Sequence, residues 1–255
     1  MPTSTSNRHL LAAVTACLCS SAAALADPVS PARFLPISAS VVRVTAQLPN
    51  GRLSVGSGVT VAPNIVATSC HVVSNANEVR LGGAGGTWEV DAEYADVHHD
   101  ICLLRAPSWN GKPVAIATAD SSRTTGESVV ALGFSGGAAI TPRLGQIRAL
   151  HDFEGGKVIE ADAAFNSGSS GGGLFAADGE LIGLLTFRMR NSVESYYSVP
   201  VGWLRQVMAA RDGWAEVHPI EGGAPFWQGD RNVLPAFLSE APIAATHLAE
   251  DAPAQ

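Results

Sequence analysis

Between Ser38 and Val199 the apolar residues either alternate with polar ones or gather in short runs, and clusters of Gly, Pro, Asn, Asp and Ser separate them. That period predicts strands over Ser40–Gln47, Leu53–Val61, Ile65–Thr68, Glu78–Leu81, Trp88–Tyr94 and Ile101–Arg105. The pattern breaks around Pro107–Ser122, and a second set follows at Ser128–Phe134, Arg143–Leu150, Val158–Ala161, Gly173–Ala176, Leu181–Phe187 and Tyr196–Val199. Six strands, a linker and six more predict an all-β chain built as two six-stranded antiparallel barrels. After Pro200 the period changes: Trp203, Leu204, Val207 and Met208 fall at helical spacing, so a closing C-terminal helix is predicted before Asp212-Gly213.

The expected organisation is a signal peptide over 1–26, an N-terminal segment over 27–37, a first barrel over 38–115 and a second barrel with the closing helix over 116–212. Residues 213–255 form an extension whose first part, with Trp214, Phe226, Trp227 and Phe237, is expected to pack on a barrel and whose end is expected to be mobile. The leader rests on Arg8, the apolar run Leu10 to Leu25 and the small residues of Ala24-Leu25-Ala26, which place cleavage after Ala26 and export to the periplasm or the medium. An uncleaved anchor, or a lipoprotein signal at Val14-Thr15-Ala16-Cys17, is the alternative.

A chain of 255 residues with 46% hydrophobic and 15% charged residues can close a sizeable core. The net charge of −7, without a run of Lys or Arg, disfavours nucleic acid and anionic membrane as partners. Loss of the leader removes Cys17 and Cys19 and leaves Cys70 and Cys102, for which a disulfide, free buried thiols and a metal site with His98-His99 all stay open.

Three segments carry chemistry. In Asn166-Ser167-Gly168-Ser169-Ser170-Gly171-Gly172 the glycines permit a tight turn that would expose the Ser170 hydroxyl beside backbone N–H groups able to receive an oxyanion. Thr68-Ser69-Cys70-His71 ends an apolar strand in a histidine, and Asp100 opens the strand Ile101–Arg105. Each has an ordinary structural reading, as a glycine-rich hairpin, a satisfied histidine or a turn aspartate.

Taken together in the order His, Asp, Ser, these segments resemble the trypsin-like (chymotrypsin-fold) serine peptidases, most closely the bacterial Deg/HtrA-type protease domain. Gly56-Ser57-Gly58-Val59, Asp178-Gly179-Glu180-Leu181 and Ser198-Val199-Pro200-Val201 add to the likeness, which spans about Ser38 to Leu204. The resemblance implies a catalytic triad of Ser170 (nucleophile), His71 (base) and Asp100 (orienter), an oxyanion hole from the Gly168 and Ser170 amides, and protein or peptide substrates. It implies no cofactor and no metal, and it gives meaning to a Cys70–Cys102 bridge between the His71 and Asp100 segments. Ala164 stands where Arg/Lys-specific members resemble one another in carrying an aspartate, so a pocket of Ala164, Phe165, Thr186 and Tyr196 is expected to favour small or medium aliphatic side chains. No PDZ-type module is evident after Leu204. The competing readings are an α/β-hydrolase, disfavoured by the residue order and the hairpin after Ser170, and a catalytically silent binding or chaperone module on the same scaffold.

Overall fold

The computed structural model describes residues 31–83, 85–118, 122–137, 139–190, 194–210, 213–220, 227 and 235–239. The expected leader and its cleavage site, Phe226 and most of the C-terminal extension lie outside these residues.

The chain enters through α1 (Pro31–Ser38) and builds a first sheet from β1 (Val41–Gln47), β2 (Leu53–Ala62), β3 (Ile65–Thr68), β4 (Glu78–Gly83), β5 (Gly86–Glu89), β6 (Ala92–Asp96) and β7 (Ile101–Arg105), with a one-turn helix α2 (Cys70–Val73) after β3. A second set, β8 (Ser128–Ser135), β9 (Ala139–Phe153), β10 (Gly156–Ala161), β11 (Gly173–Ala176), β12 (Leu181–Arg190) and β13 (Glu194–Pro200), precedes α3 (Val201–Ala209) and the short α4 (Ala236–Ser239). The fold is mostly β, with the closing helix where the changed period placed it.

The second lobe is a closed barrel in the order β10-β13-β12-β11-β8-β9, as expected. The first is a seven-stranded sheet in the order β5-β4-β1-β2-β3-β7-β6. The difference arises at the predicted strand Trp88–Tyr94, which is two strands. The Val90 N–H donates to the Val79 carbonyl on one side, and the Asp91 N–H donates to the Arg105 carbonyl on the other. Consecutive residues therefore pair with opposite ends of the sheet and curl it into a half-barrel.

Strand alternation divides the buried residues between two cores. Val42, Val44, Ala46, Val66, Cys102 and Leu104 face the interior of the first lobe. Their neighbours Val41, Ala67, Ile101 and Leu103 point the other way and join the core of the second lobe. The lobes are thus fused through shared strands, and the residues at the ends of β3 and β7 open onto the seam between them.

Edge strand β6 is covered by the segment after α3, because Glu93 and Ala215 exchange backbone hydrogen bonds. The Glu93 side chain is buried; its Oε1 accepts from the His218 N–H at 3.1 Å and meets His218 Nδ1 at 3.1 Å, while Oε2 has no partner among the described residues. Burial pushes the Glu93 carboxyl above its ordinary value, and the His218 contacts only partly offset this. A raised acid favours folding below its ordinary titration range, and that contribution is lost as pH rises through the shifted value. Glu93→Gln is accordingly expected to raise Tm near neutral pH, by about 2–4 °C for each kcal/mol relieved, and to flatten the stability profile on the acid side. Thermal unfolding across pH checks this; an unchanged slope would remove Glu93 as its source.

Candidate active site

The seam holds a cleft of about 330 Å³ lined by residues of both lobes, among them Val55, His71 and Val72 from the first and Phe165, Ser170 and Thr186 from the second. His71 lies on α2 rather than at a strand end, so the helical turn lifts its ring out of the first-lobe core while Val72 and Val73 stay buried. Asp100, before β7, has a left-handed backbone with φ of 58°, which aspartate tolerates better than most residues. Its carboxylate is 2% exposed. Oδ1 accepts the His71 backbone N–H at 2.9 Å, Oδ2 lies 2.8 Å from His71 Nδ1, and the Thr186 hydroxyl donates to Oδ2 at 2.7 Å. The ring is thereby held with Nδ1–H toward the carboxylate and Nε2 as the acceptor. Burial pulls the His71 pKa down, but the charge and hydrogen bond of Asp100 outweigh it, and the net shift is upward from 6.5.

Ser170 sits on the glycine turn between β10 and β11. Gly168 and Gly171 have φ of 93° and 81°, and a Cβ on Gly171 would collide with the Ser57 carbonyl and Thr68 hydroxyl of the other lobe. Three amides of the turn are committed: Ser169 to the Asn166 carbonyl, Gly171 to Leu185 and Gly172 to Ser169. Those of Gly168 and Ser170 have no acceptor among the described residues. The Ser170 hydroxyl donates to the Thr186 carbonyl at 3.1 Å, and no hydrogen bond joins it to His71 among the described residues.

Ser57 on β2, within Gly56-Ser57-Gly58, has a role that its sequence neighbours do not announce. Its N–H donates to the Ser170 carbonyl at 2.8 Å, its hydroxyl donates to the Gly168 carbonyl at 2.7 Å, and that hydroxyl accepts the Phe134 N–H at 2.8 Å. One buried side chain therefore ties the turn to the opposite lobe. Cys70 and Cys102 form a disulfide between residues 32 apart in sequence, and closing such a loop contributes about 3–4 kcal/mol in the chain-entropy account.

The expected pocket residues separate. Phe165 and Thr186 line the cleft, but Ala164 is exposed and does not. Tyr196 is buried behind Phe165, with ring centroids 5.1 Å apart. The reason is local: strand-like alternation before the turn sends Ala163 and Phe165 inward and Ala164 out. Asn166, Arg188 and Trp227, which no local pattern marks as pocket residues, line the cleft instead, and the Arg188 guanidinium donates to Asn166 Oδ1 at 3.1 Å and to Glu194 Oε1 at 3.3 Å.

Known proteins of similar sequence include several serine proteases. The family model of the trypsin-like peptidase domain matches residues 56–184. Serine protease HTRA1A of Danio rerio is 32% identical over 166 residues, covering 60% of this chain and 34% of that protein. Serine protease HTR4 of Rattus norvegicus is 30% identical over 168 residues, with 61% and 34% covered. The chain thus spans about a third of the length of the curated relatives it matches. Among solved structures, the active form of the Rv3671c protease from M. tuberculosis superposes with a TM-score of 0.65 at 24% identity, over 76% of this chain and 91% of that one. The HtrA-type protease AlgW with a tripeptide gives 0.61 at 23% identity, over 69% and 61%. At these identities the structural likeness is one of fold.

Removal of the Ser57 hydroxyl leaves a buried carbonyl at Gly168 and a part-buried N–H at Phe134 without their partner. Ser57→Ala is expected to lose about 1–3 kcal/mol of stability, measured by denaturant unfolding. A variant as stable as the parent would show that the bridge carries no net energy.

Proposed function

This chain belongs to the trypsin-like peptidase family, and on that premise we propose that it is an exported serine endopeptidase working through Ser170, His71 and Asp100. What carries the reading is the meeting, in one cleft, of an imidazole anchored by a buried carboxylate, a serine hydroxyl on a glycine turn, and two uncommitted amides beside that hydroxyl. In the proposed step the Ser170 hydroxyl leaves the Thr186 carbonyl for His71 Nε2. The imidazole takes its proton as Oγ attacks the substrate carbonyl, and the Gly168 and Ser170 N–H groups receive the oxyanion. His71 then returns the proton to the leaving amine, and water hydrolyses the acyl-enzyme by the same sequence. Asp100 keeps Nδ1–H in place and balances the imidazolium, with Thr186 as its third donor.

For the substrate, uncharged side chains of small or medium size remain the proposal, now on a different residue. Arg188 in the cleft wall, paired with Glu194, offers a cationic side chain no acceptor, where the sequence alone pointed to Ala164. Export is supported by the leader pattern at Arg8 and Leu10–Leu25 and by the disulfide, which suits an oxidising compartment. No helix among the described residues is long and apolar enough to cross a membrane.

One observation favours the second reading, a silent binding module: the Ser170 hydroxyl is engaged by Thr186 rather than by His71. Labelling of Ser170 by a fluorophosphonate separates the two, since only an activated serine reacts. Ser170→Ala should fold normally and lose about 10⁶ in turnover. Cleavage-site profiling on a denatured protein mixture, wild type against Ser170→Ala, reads activity and side-chain preference together; retention of more than about a hundredth of the activity is incompatible with a nucleophilic Ser170.

Because the base must be neutral, kcat/KM should climb as pH rises through an apparent pKa above 6.5, the direction in which Asp100 shifts His71. Asp100→Asn should move that limb to lower pH and depress kcat by about 10⁴, the carboxamide favouring the wrong tautomer. A pH profile indifferent to Asp100 would separate the pair from the rate-limiting chemistry.

A further inference from the structure

We propose that His98, His99 and Glu154 form a binding site for a divalent transition metal of the zinc class, one that clips the two lobes together beside Asp100. The proposal stands on residues outside the cleft and does not depend on the catalytic reading. His98 and His99 end the first-lobe loop that leads into Asp100. Glu154 is the tip of the β9–β10 hairpin of the second lobe, where Phe153 pairs with Gly156 and the two turn residues, Glu154 and Gly155, have φ of 45° and 76°. Positive φ at both positions is what a type I′ hairpin turn requires, and it carries the glutamate to the seam. His98 Nε2 lies 2.5 Å from Glu154 Oε2, and His99 Nε2 lies 3.3 Å from the same oxygen. One donor atom from each of the three residues falls within 4.8 Å of the others.

The way His99 is held makes this more than an ion-pair cluster. Its Nδ1 is 2.7 Å from Asp96 Oδ2, and its ring is braced by Trp203 at 4.3 Å between centroids. With Nδ1 turned to Asp96, Nε2 is the ring atom left for a ligand, and it is buried without a hydrogen-bond partner among the described residues. It lies 3.3 Å from the Glu154 carboxylate oxygen, two ligand atoms that a single cation can join. A carboxylate that orients a histidine through its far nitrogen is the usual outer partner of a metal-bound imidazole. Two imidazoles and one carboxylate with an open fourth position also suit zinc. Tetrahedral donors at zinc bond lengths stand about 3.4 Å apart, so the His99–Glu154 pair is already spaced for it. The His98–Glu154 pair must open, and both side chains are exposed enough to do so. From sequence, His98 and His99 offered a metal only Cys70 and Cys102 as companions, whereas Glu154 follows His99 by more than fifty residues and comes from the other lobe. On binding, any proton carried by the ligating atoms leaves to solvent.

The test uses the full chain without a histidine tag, freed of metal by a chelator, titrated with zinc chloride by calorimetry and followed by thermal unfolding. One zinc per chain is expected, with Kd of about 1 µM or tighter and a rise in Tm as the bound state is populated. Glu154→Gln, which preserves size, should weaken binding about 100-fold or more, and Asp96→Asn about 10–100-fold; His71→Ala should leave it unchanged. Should Glu154→Gln fail to fold, His98→Ala on the opposite lobe serves the same end. Absence of binding below about 100 µM, equal affinity in Glu154→Gln and His98→Ala, or loss of binding in His71→Ala would each overturn the site. The last would place zinc at the cleft instead.

Discussion

A carboxylate taken out of water costs several kcal/mol unless donors surround it, and the centre of this molecule is organised around meeting that demand at Asp100. Its two oxygens receive a backbone N–H and a ring N–H from His71 and a hydroxyl from Thr186. Two of these donors come from α2 and the third from β12, so the buried charge is satisfied only when the lobes are assembled. The same requirement sets the direction of the His71 ring and leaves its Nε2 facing the cleft. Weakening any donor would therefore disturb the charge, the ring and the lobe contact together.

The turn that carries Ser170 is held by the complementary device. Here the second lobe offers carbonyls and the first supplies the donor, Ser57, whose N–H and hydroxyl reach two carbonyls of the turn. Gly171 allows the approach because any side chain there would strike Ser57 and Thr68. Hydrogen bonds running both ways across the seam, together with the apolar residues of β3 and β7 that point into the second-lobe core, make the two lobes one packed body with a polar cleft along one side.

The strands, the helix after Pro200 and the residues with distinctive neighbours were legible because each rests on local information. A period of two, a proline before a helical spacing, or glycines around a serine need no partner elsewhere in the chain. The predicted strand Trp88–Tyr94 divided because Val90 and Asp91 answer to opposite edges of the sheet, a consequence of curling that no window of sequence contains. Ala164 was placed in the pocket by a positional likeness, and the structure turns it to solvent because alternation gives the inward places to its neighbours. Thr186 lines the cleft as expected, but its hydroxyl belongs to Asp100 and its carbonyl to Ser170, which no local pattern indicates.

By itself, then, the amino-acid order determined the all-β class, the closing helix, the glycine turn and the three side chains worth following, since backbone periodicity and turn chemistry act over a few residues. Tertiary structure alone decided which lobe closes, which atoms satisfy Asp100, why Ser57 matters and that Glu154 meets His98 and His99. Those outcomes depend on groups brought together from distant parts of the chain, and it is burial, with its demand that each polar atom find a partner, that selects them.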